Sequence, residues 1–219
     1  MDERILKVLK VAVTGGAGSG KTTVCNRLKE LGVKVISSDA LAKEAVAQGS
    51  LTHEKIVNYF GKKVLLSDGN LNRQALRSII INDDVARLAL ERFIHPEISR
   101  LMHLRIARAE QDGDPVLLVE VPLLFELGMA EQFDVVIVVS ADHELRVKRL
   151  MDRDNVSSGE AENLINVQMP QAEKVERAEF VLENDCSKDL LIRSVDLLFN
   201  NFFQKYLKTN RKPLTGYKT

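Results

Sequence analysis

The sequence predicts an α/β fold: a parallel sheet covered by helices on both faces, with two helical excursions. Three observations carry this. Five short runs rich in Val, Ile and Leu recur along the chain, each bounded by polar or turn residues. Longer stretches of helical pattern separate them, and strand alternating with helix marks a layered α/β architecture with right-handed crossovers. The runs are continuously apolar, as strands buried on both faces are.

The first strand is read over Leu9 to Thr14, followed by a glycine-rich loop and an amphipathic helix from Thr22 to Leu31. The second strand is Val33 to Ser37. The mostly helical stretch after it, Ala40 to Ile106 and its flanks, is far longer than one crossover needs, so it predicts an inserted helical subdomain. Pro96 inside it should end or kink a helix. The third and fourth strands are Val116 to Val121 and Val135 to Ser140. Asp142 to about Glu176 then carries alternating charges, a flexible Ser157-Ser158-Gly159 and Pro170, and reads as a helix, a loop and another helix, able to move as a lid. Phe180 to Glu183 is the fifth strand. The basic tail from Lys208, with Pro213 and Gly216, reads as frayed or disordered.

Composition excludes several classes. The 219 residues hold 31 Lys plus Arg and 31 Asp plus Glu, and this zero balance argues against a general nucleic-acid binder. No apolar run approaches the roughly 20 residues that span a bilayer, and the charged start from Met1 to Lys7 does not read as a signal peptide. Cys25 and Cys186 are far apart and sit in no ligand pattern, which predicts a reducing, cytoplasmic protein with two half-buried thiols. His53, His103 and His143 show no metal-site spacing.

The strongest motif is Gly15-Gly16-Ala17-Gly18-Ser19-Gly20-Lys21-Thr22, with Thr23 following. It fits G-x-x-x-x-G-K-[ST] in full, with a strand before it and a helix after it. A nucleotide triphosphate needs a ring of backbone N–H donors at close range. Glycines let the main chain approach, the helix N-terminus adds its dipole, Lys21 adds a charge for the β- and γ-phosphates, and the Thr22 hydroxyl is placed for Mg²⁺. The motif predicts ATP or GTP binding and leaves the reaction open. No Asn-Lys-x-Asp guanine motif appears, which sets aside signalling GTPases; Leu117-Leu118-Val119-Glu120 does not discriminate, since motor and transport ATPases carry a similar acidic strand end.

Two further features suit a small-molecule kinase. Asp39 ends the second strand, and strand ends line the ligand crevice of a parallel sheet. It reads equally as a base accepting a hydroxyl proton and as the N-cap of a helix from Ala40 to Ala47. Arg146, Arg149 and Arg153, spaced i, i+3, i+7, would show their guanidiniums on one helical face, suited to a transferring phosphoryl group or simply to a solvated surface. His95, before Pro96, reads as a core or capping residue or as a phosphate ligand.

The pieces occur in an order that resembles the dephospho-coenzyme A kinase family over about residues 8 to 200. They are the glycine-rich loop (14–23), Ser-Ser-Asp-Ala-Leu-Ala (37–42), Tyr-Phe-Gly (59–61), Asp-Gly-Asn-Leu-Asn-Arg (68–73), Ile-His-Pro (94–96), Val-Pro-Leu-Leu-Phe-Glu (121–126), Arg-Leu-Met-Asp-Arg (149–153) and Glu-Asn (183–184). The resemblance implies transfer of the ATP γ-phosphoryl to the ribose 3′-hydroxyl of dephospho-CoA. It implies Asp39 as the proton acceptor, Arg149 and Arg153 as lid arginines, His95, Glu120, Pro122, Leu123 and Leu124 along the acceptor crevice, and Asn184 near the nucleotide. The chain departs from the family pattern at Ser37, Glu120, Arg146, Glu179 and Asp185. The resulting expectation is a P-loop NTPase-type αβα sandwich with strand order 2-3-1-4-5. Its core comprises 8–39, 115–141 and 177–207, its CoA-binding helical subdomain 40–114, its lid 142–176, and its disordered tail 208–219. A kinase for another nucleotide or nucleoside, and an ATP-sensing switch without catalysis, are the rival readings.

Overall fold

The computed structural model describes residues 8–81 and 83–210. Five strands form one sheet: β1 (Leu9–Thr14), β2 (Lys34–Ser37), β3 (Val116–Glu120), β4 (Val135–Ser140) and β5 (Phe180–Glu183), in the order β2-β3-β1-β4-β5. The register is parallel, with Leu9 opposite Val116, Val11 opposite Val135 and Ile137 opposite Phe180. The strand ends Thr14, Glu120 and Ser140 therefore gather at one edge, on either side of the point where the order reverses. That edge is where ligands bind in open α/β sheets.

Period-two alternation fills both faces. Val11, Val13, Val116, Leu118, Ile137 and Val139 face helices α1 (Lys21–Glu30) and α9 (Lys188–Leu198), packing on Val24, Leu28, Leu191 and Val195. Their neighbours Ala12, Leu117, Val119, Val136 and Val138 are buried as well, so the sheet is covered on both sides. Each such aliphatic side chain contributes about 1.5–3 kcal/mol when fully buried. A π-helical turn, Phe199–Phe203, joins α9 to α10 (Gln204–Asn210) and buries Phe203 in the same core. Lys208 to Asn210 of the expected tail thus belong to a helix; residues 211–219 lie outside the described residues.

Backbone packing divides the chain into two units, Met1–Val35 with Ala109–Thr219, and Ile36–Arg108. The second unit holds α2 (Ser38–Ala45), α3 (Leu51–Phe60), α4 (Arg73–Ile81) and most of α5 (Asp84–Asp112). Its core joins Ile56, Phe60, Val64, Leu76, Ala86 and Leu90. Pro96 does not end a helix: α5 runs through it for 29 residues. One lost hydrogen bond and the ring clash cost about 3 kcal/mol. Buried Leu90, Leu101, Met102 and Ile106 on either side anchor the helix against that cost.

The 142–176 segment holds three helices rather than two, α6 (His143–Asp154), α7 (Ser158–Asn166) and α8 (Gln171–Glu176), all in the first unit. Ser157-Ser158-Gly159 is not a flexible loop. Ser157 and Glu160 form a reciprocal capping box that starts α7, which is why a loop-like tripeptide is ordered. Val147, Leu150, Ala161 and Ile165 form a small core between α6 and α7, against which Ala17 of the glycine-rich loop packs. The thiols also differ from expectation: Cys25 is buried on the core face of α1, where burial pushes its pKa up, and Cys186 is exposed.

Candidate active site

β1 runs straight into the Gly15–Gly20 loop, and the loop into α1. Two glycines are required by their surroundings. Gly15 has φ +144° and Gly20 φ +99°. A methyl on Gly15 would overlap the Val139 carbonyl, and one on Gly20 the Asn184 amide. Gly15→Ala should therefore destabilise by about 3 kcal/mol or more, combining backbone strain with overpacking. A thermal melt should show a Tm lower by about 6 °C or more for a chain of this size. A Tm within a degree of the parent would mean that the loop relaxes freely.

At the start of α1 no side chain caps the helix, and Gly20 holds a left-handed conformation. Such an N-terminus suits an anion. The Lys21 ammonium donates to the carbonyls of Gly15 and Gly16, both at 3.0 Å. Burial lowers its pKa to about 8; Glu120 opposes this, while Lys174, Arg146 and Arg153 add to it. Between pH 8 and 10.5 the unfolded chain holds a proton on Lys21 that the folded chain lacks. This group's contribution to folding stability accordingly rises with pH across that window, and its full cost is present below it. Nucleotide phosphates favour the charged form. ATP binding should therefore take up a proton above pH 8, with the Kd weakening by up to about tenfold per pH unit there. Calorimetry in two buffers of different ionisation enthalpy reads this directly; a flat Kd from pH 7.5 to 9.5 would contradict it.

The Thr22 hydroxyl donates to Glu120 Oε1 at 3.0 Å, and Glu120 is itself buried at the end of β3. Two hard oxygens side by side suit Mg²⁺, which keeps several waters and takes its remaining ligands from substrate phosphates. No cluster of three or more His, Cys, Asp or Glu side chains that could hold a metal occurs among the described residues. Three histidines have partners of their own: His143 with Glu162, His53 with the Gly69 carbonyl and His103 with the Ser99 carbonyl.

The three arginines of α6 do not act alike. Arg146 is buried, and its Nε donates to the Ala17 carbonyl at 2.9 Å; burial lowers its pKa. Arg149 donates to the Gly18 carbonyl at 3.4 Å and to the Asn184 carbonyl at 3.0 Å. Arg153 is mostly exposed and makes a paired contact with Asp154 at 2.8 Å, although Lys21 still feels its charge. The first two bond the phosphate loop; Arg153 is more exposed but stays within electrostatic reach of Lys21. Asn184 is buried and ties the loop to β5, its amide donating to the Ser19 carbonyl at 2.7 Å. Gly20, Thr23, Arg149, Asn184, Lys188 and Leu191 line a cavity of about 240 Å³ beside the loop.

Of the residues expected along the acceptor, Pro122 accepts the Thr14 hydroxyl at 3.4 Å through its carbonyl, Leu123 is half-buried, and Leu124 is fully buried. In the second unit, His95 is half-buried on α5. Asp39 is exposed, and it neither ends β2 nor caps α2. The strand stops at Ser37, the N-cap, and Asp39 lies in the first helical turn, where the backbone N–H groups favour a carboxylate.

Sequence reasoning passed over four side chains. Gln168 Oε1 accepts the Ala17 N–H at 2.8 Å. Gln171 bridges Arg146 to the end of β4 through Ser140 and Ala141. Lys174 and Glu126 form an ion pair at 2.6 Å, with the lysine side chain wholly buried. Neutral glutamines carry no motif, and Lys174 sits in an alternating-charge run that resembles a solvated surface.

Fold and site together define a P-loop nucleotide-binding protein of the kinase type: a glycine loop with its Lys-Thr pair, a buried carboxylate on the adjacent strand, and an arginine-bearing helix folded over the loop. A family model described as dephospho-CoA kinase matches residues 9–189. The chain belongs to the dephospho-CoA kinase family. It is 42% identical to the dephospho-CoA kinase of Geobacter sulfurreducens, across 88% of this chain and 98% of that one. It is similar to the crystal structure of a Thermus thermophilus protein (TM-score 0.74, 34% identity, 89% of this chain and 98% of that one). It is also similar to the dephospho-CoA kinase of Campylobacter jejuni (TM-score 0.62, 28% identity, 88% of this chain and 96% of that one).

Proposed function

We propose that the chain transfers the γ-phosphoryl of ATP to the ribose 3′-hydroxyl of dephospho-CoA, giving ADP and CoA, the last step of coenzyme A synthesis. The observation that carries this reading is the family match across residues 9–189, which takes in the phosphate loop, Asp39 and the α6 arginines together. Lys21 and the N–H groups at the start of α1 bind the β- and γ-phosphates. Thr22, with Glu120 behind it, would hold Mg²⁺, which supplies charge neutralisation across the phosphates. Arg149 and Arg153 balance charge on the transferring group, and Asp39 accepts the proton of the attacking hydroxyl. His95, Pro122, Leu123 and Leu124 serve the acceptor, and Asn184 the nucleotide. Two free thiols and no membrane-length apolar helix among the described residues suit work in the reducing cytoplasm.

The test is ADP release with Mg²⁺ and ATP, with and without dephospho-CoA. Stimulation of at least tenfold by dephospho-CoA, and none by adenosine, is expected. ADP release that ignores dephospho-CoA, despite ATP binding, would overturn the reading.

A further inference from the structure

The segment joining α7 to α8 is held at two points, one on the phosphate loop and one on the loop that follows β3. Gln168 Oε1 accepts the Ala17 N–H at 2.8 Å. One residue on, the Met169 N–H donates to Glu126 Oε1 at 2.9 Å, and the same oxygen takes the Lys174 ammonium at 2.6 Å. Glu126 thus ties both the joining segment, through Met169, and α8, through Lys174, to the loop that follows β3. The Lys174 side chain is wholly buried and that of Glu126 is 19% exposed. Burial alone would raise the Glu126 carboxyl; Lys174 and the backbone donors hold it below its ordinary value. A buried ion pair is seldom a source of stability, because desolvation offsets its attraction, so its presence here calls for a reason beyond folding. The reason lies in what the pair delivers. The 168–170 stretch also walls a cavity of about 440 Å³ shared with Arg146, Asp142 and Ile165.

We propose that Lys174 and Glu126 form a clasp that positions Gln168 over the phosphate loop and so keeps water away from the γ-phosphoryl group when no acceptor is present. Lys174 is a positioning residue: it acts through Glu126 and the 167–170 segment rather than by touching substrate. Water that reaches the loop in line with the γ-phosphate turns transfer into hydrolysis, with the phosphoryl group passing to water and ADP leaving. A seal made of a fixed amide and a buried ion pair suppresses that side reaction. The inference rests on the kinase reading for the identity of the acceptor, not for ATP as the nucleotide.

Acceptor-free hydrolysis of Mg·ATP tests it, read as phosphate released per folded molecule. Removing one partner alone strands a buried charge, so the double variant Lys174→Met/Glu126→Leu is used, where loss of both charges preserves packing. Gln168→Ala, at a half-buried position, is the second variant and carries no such folding risk. Both should hydrolyse ATP at least about fivefold faster than the parent, since a seal that costs one water-excluding contact has effects of that order. A merely structural role would lower hydrolysis or leave it alone, and either result in Gln168→Ala overturns the proposal. CoA formation by the parent protein in a parallel assay with dephospho-CoA added reports separately on the kinase reading.

Discussion

Asp39→Ala should lower turnover by about 10²- to 10⁴-fold, the range that a positioned proton acceptor supplies. Binding of Mg·ATP should change by less than about twofold, because the loop, Lys21 and α1 do not involve Asp39. The placement of Asp39 in the first turn of α2 shapes this expectation. Its exposed side chain carries no burial cost when truncated. The loss should therefore appear in kcat and not in Tm. Single-turnover transfer rates beside calorimetric ATP binding separate the two. Turnover within threefold of the parent would remove Asp39 as the base.

Lys21→Met should act in opposite directions on activity and on stability. The ammonium bonds two loop carbonyls at 3.0 Å and would bond the phosphates in their place. Its loss should lower kcat/KM by about 10²- to 10³-fold, as removal of one preorganised electrostatic donor does. Yet its pKa is lowered to about 8, chiefly by burial, so the folded chain carries a penalty for this charge at neutral pH. An apolar side chain of similar length removes that penalty. The ligand-free Tm should hold or rise, while the Tm increase produced by saturating ATP should shrink toward zero. A variant that melts much earlier but still binds ATP would contradict both halves.

Much of this was legible in sequence because it rests on local rules. β1, β4 and β5 fall on their expected residues, since a buried parallel strand is a continuous apolar run whatever surrounds it. The strand order is as the family resemblance implied. The phosphate loop was readable because its chemistry dictates glycine, lysine and threonine at fixed spacing. Three readings depended on context that the local pattern lacks. Pro96 reads as a helix end, but tertiary packing on both sides carries α5 through it. Ser157-Ser158-Gly159 reads as a loop, but the glutamate three residues after Ser157 turns it into a helix start. Arg146, Arg149 and Arg153 share a spacing but not partners: the fold brings Ala17 and Gly18 to the first two, while Arg153 pairs with its sequence neighbour Asp154. Gln168 and the Lys174–Glu126 pair were not legible at all: their meaning comes from partners more than 40 residues away along the chain.

The most direct test of the central claim is a single turnover with ATP labelled in the γ-phosphoryl group, stoichiometric dephospho-CoA and Mg²⁺, followed by analysis of the labelled product. The account predicts label on the ribose 3′-oxygen of CoA, in amounts matching the ADP formed. Label released as inorganic phosphate, or found on any other position of the acceptor, would contradict it.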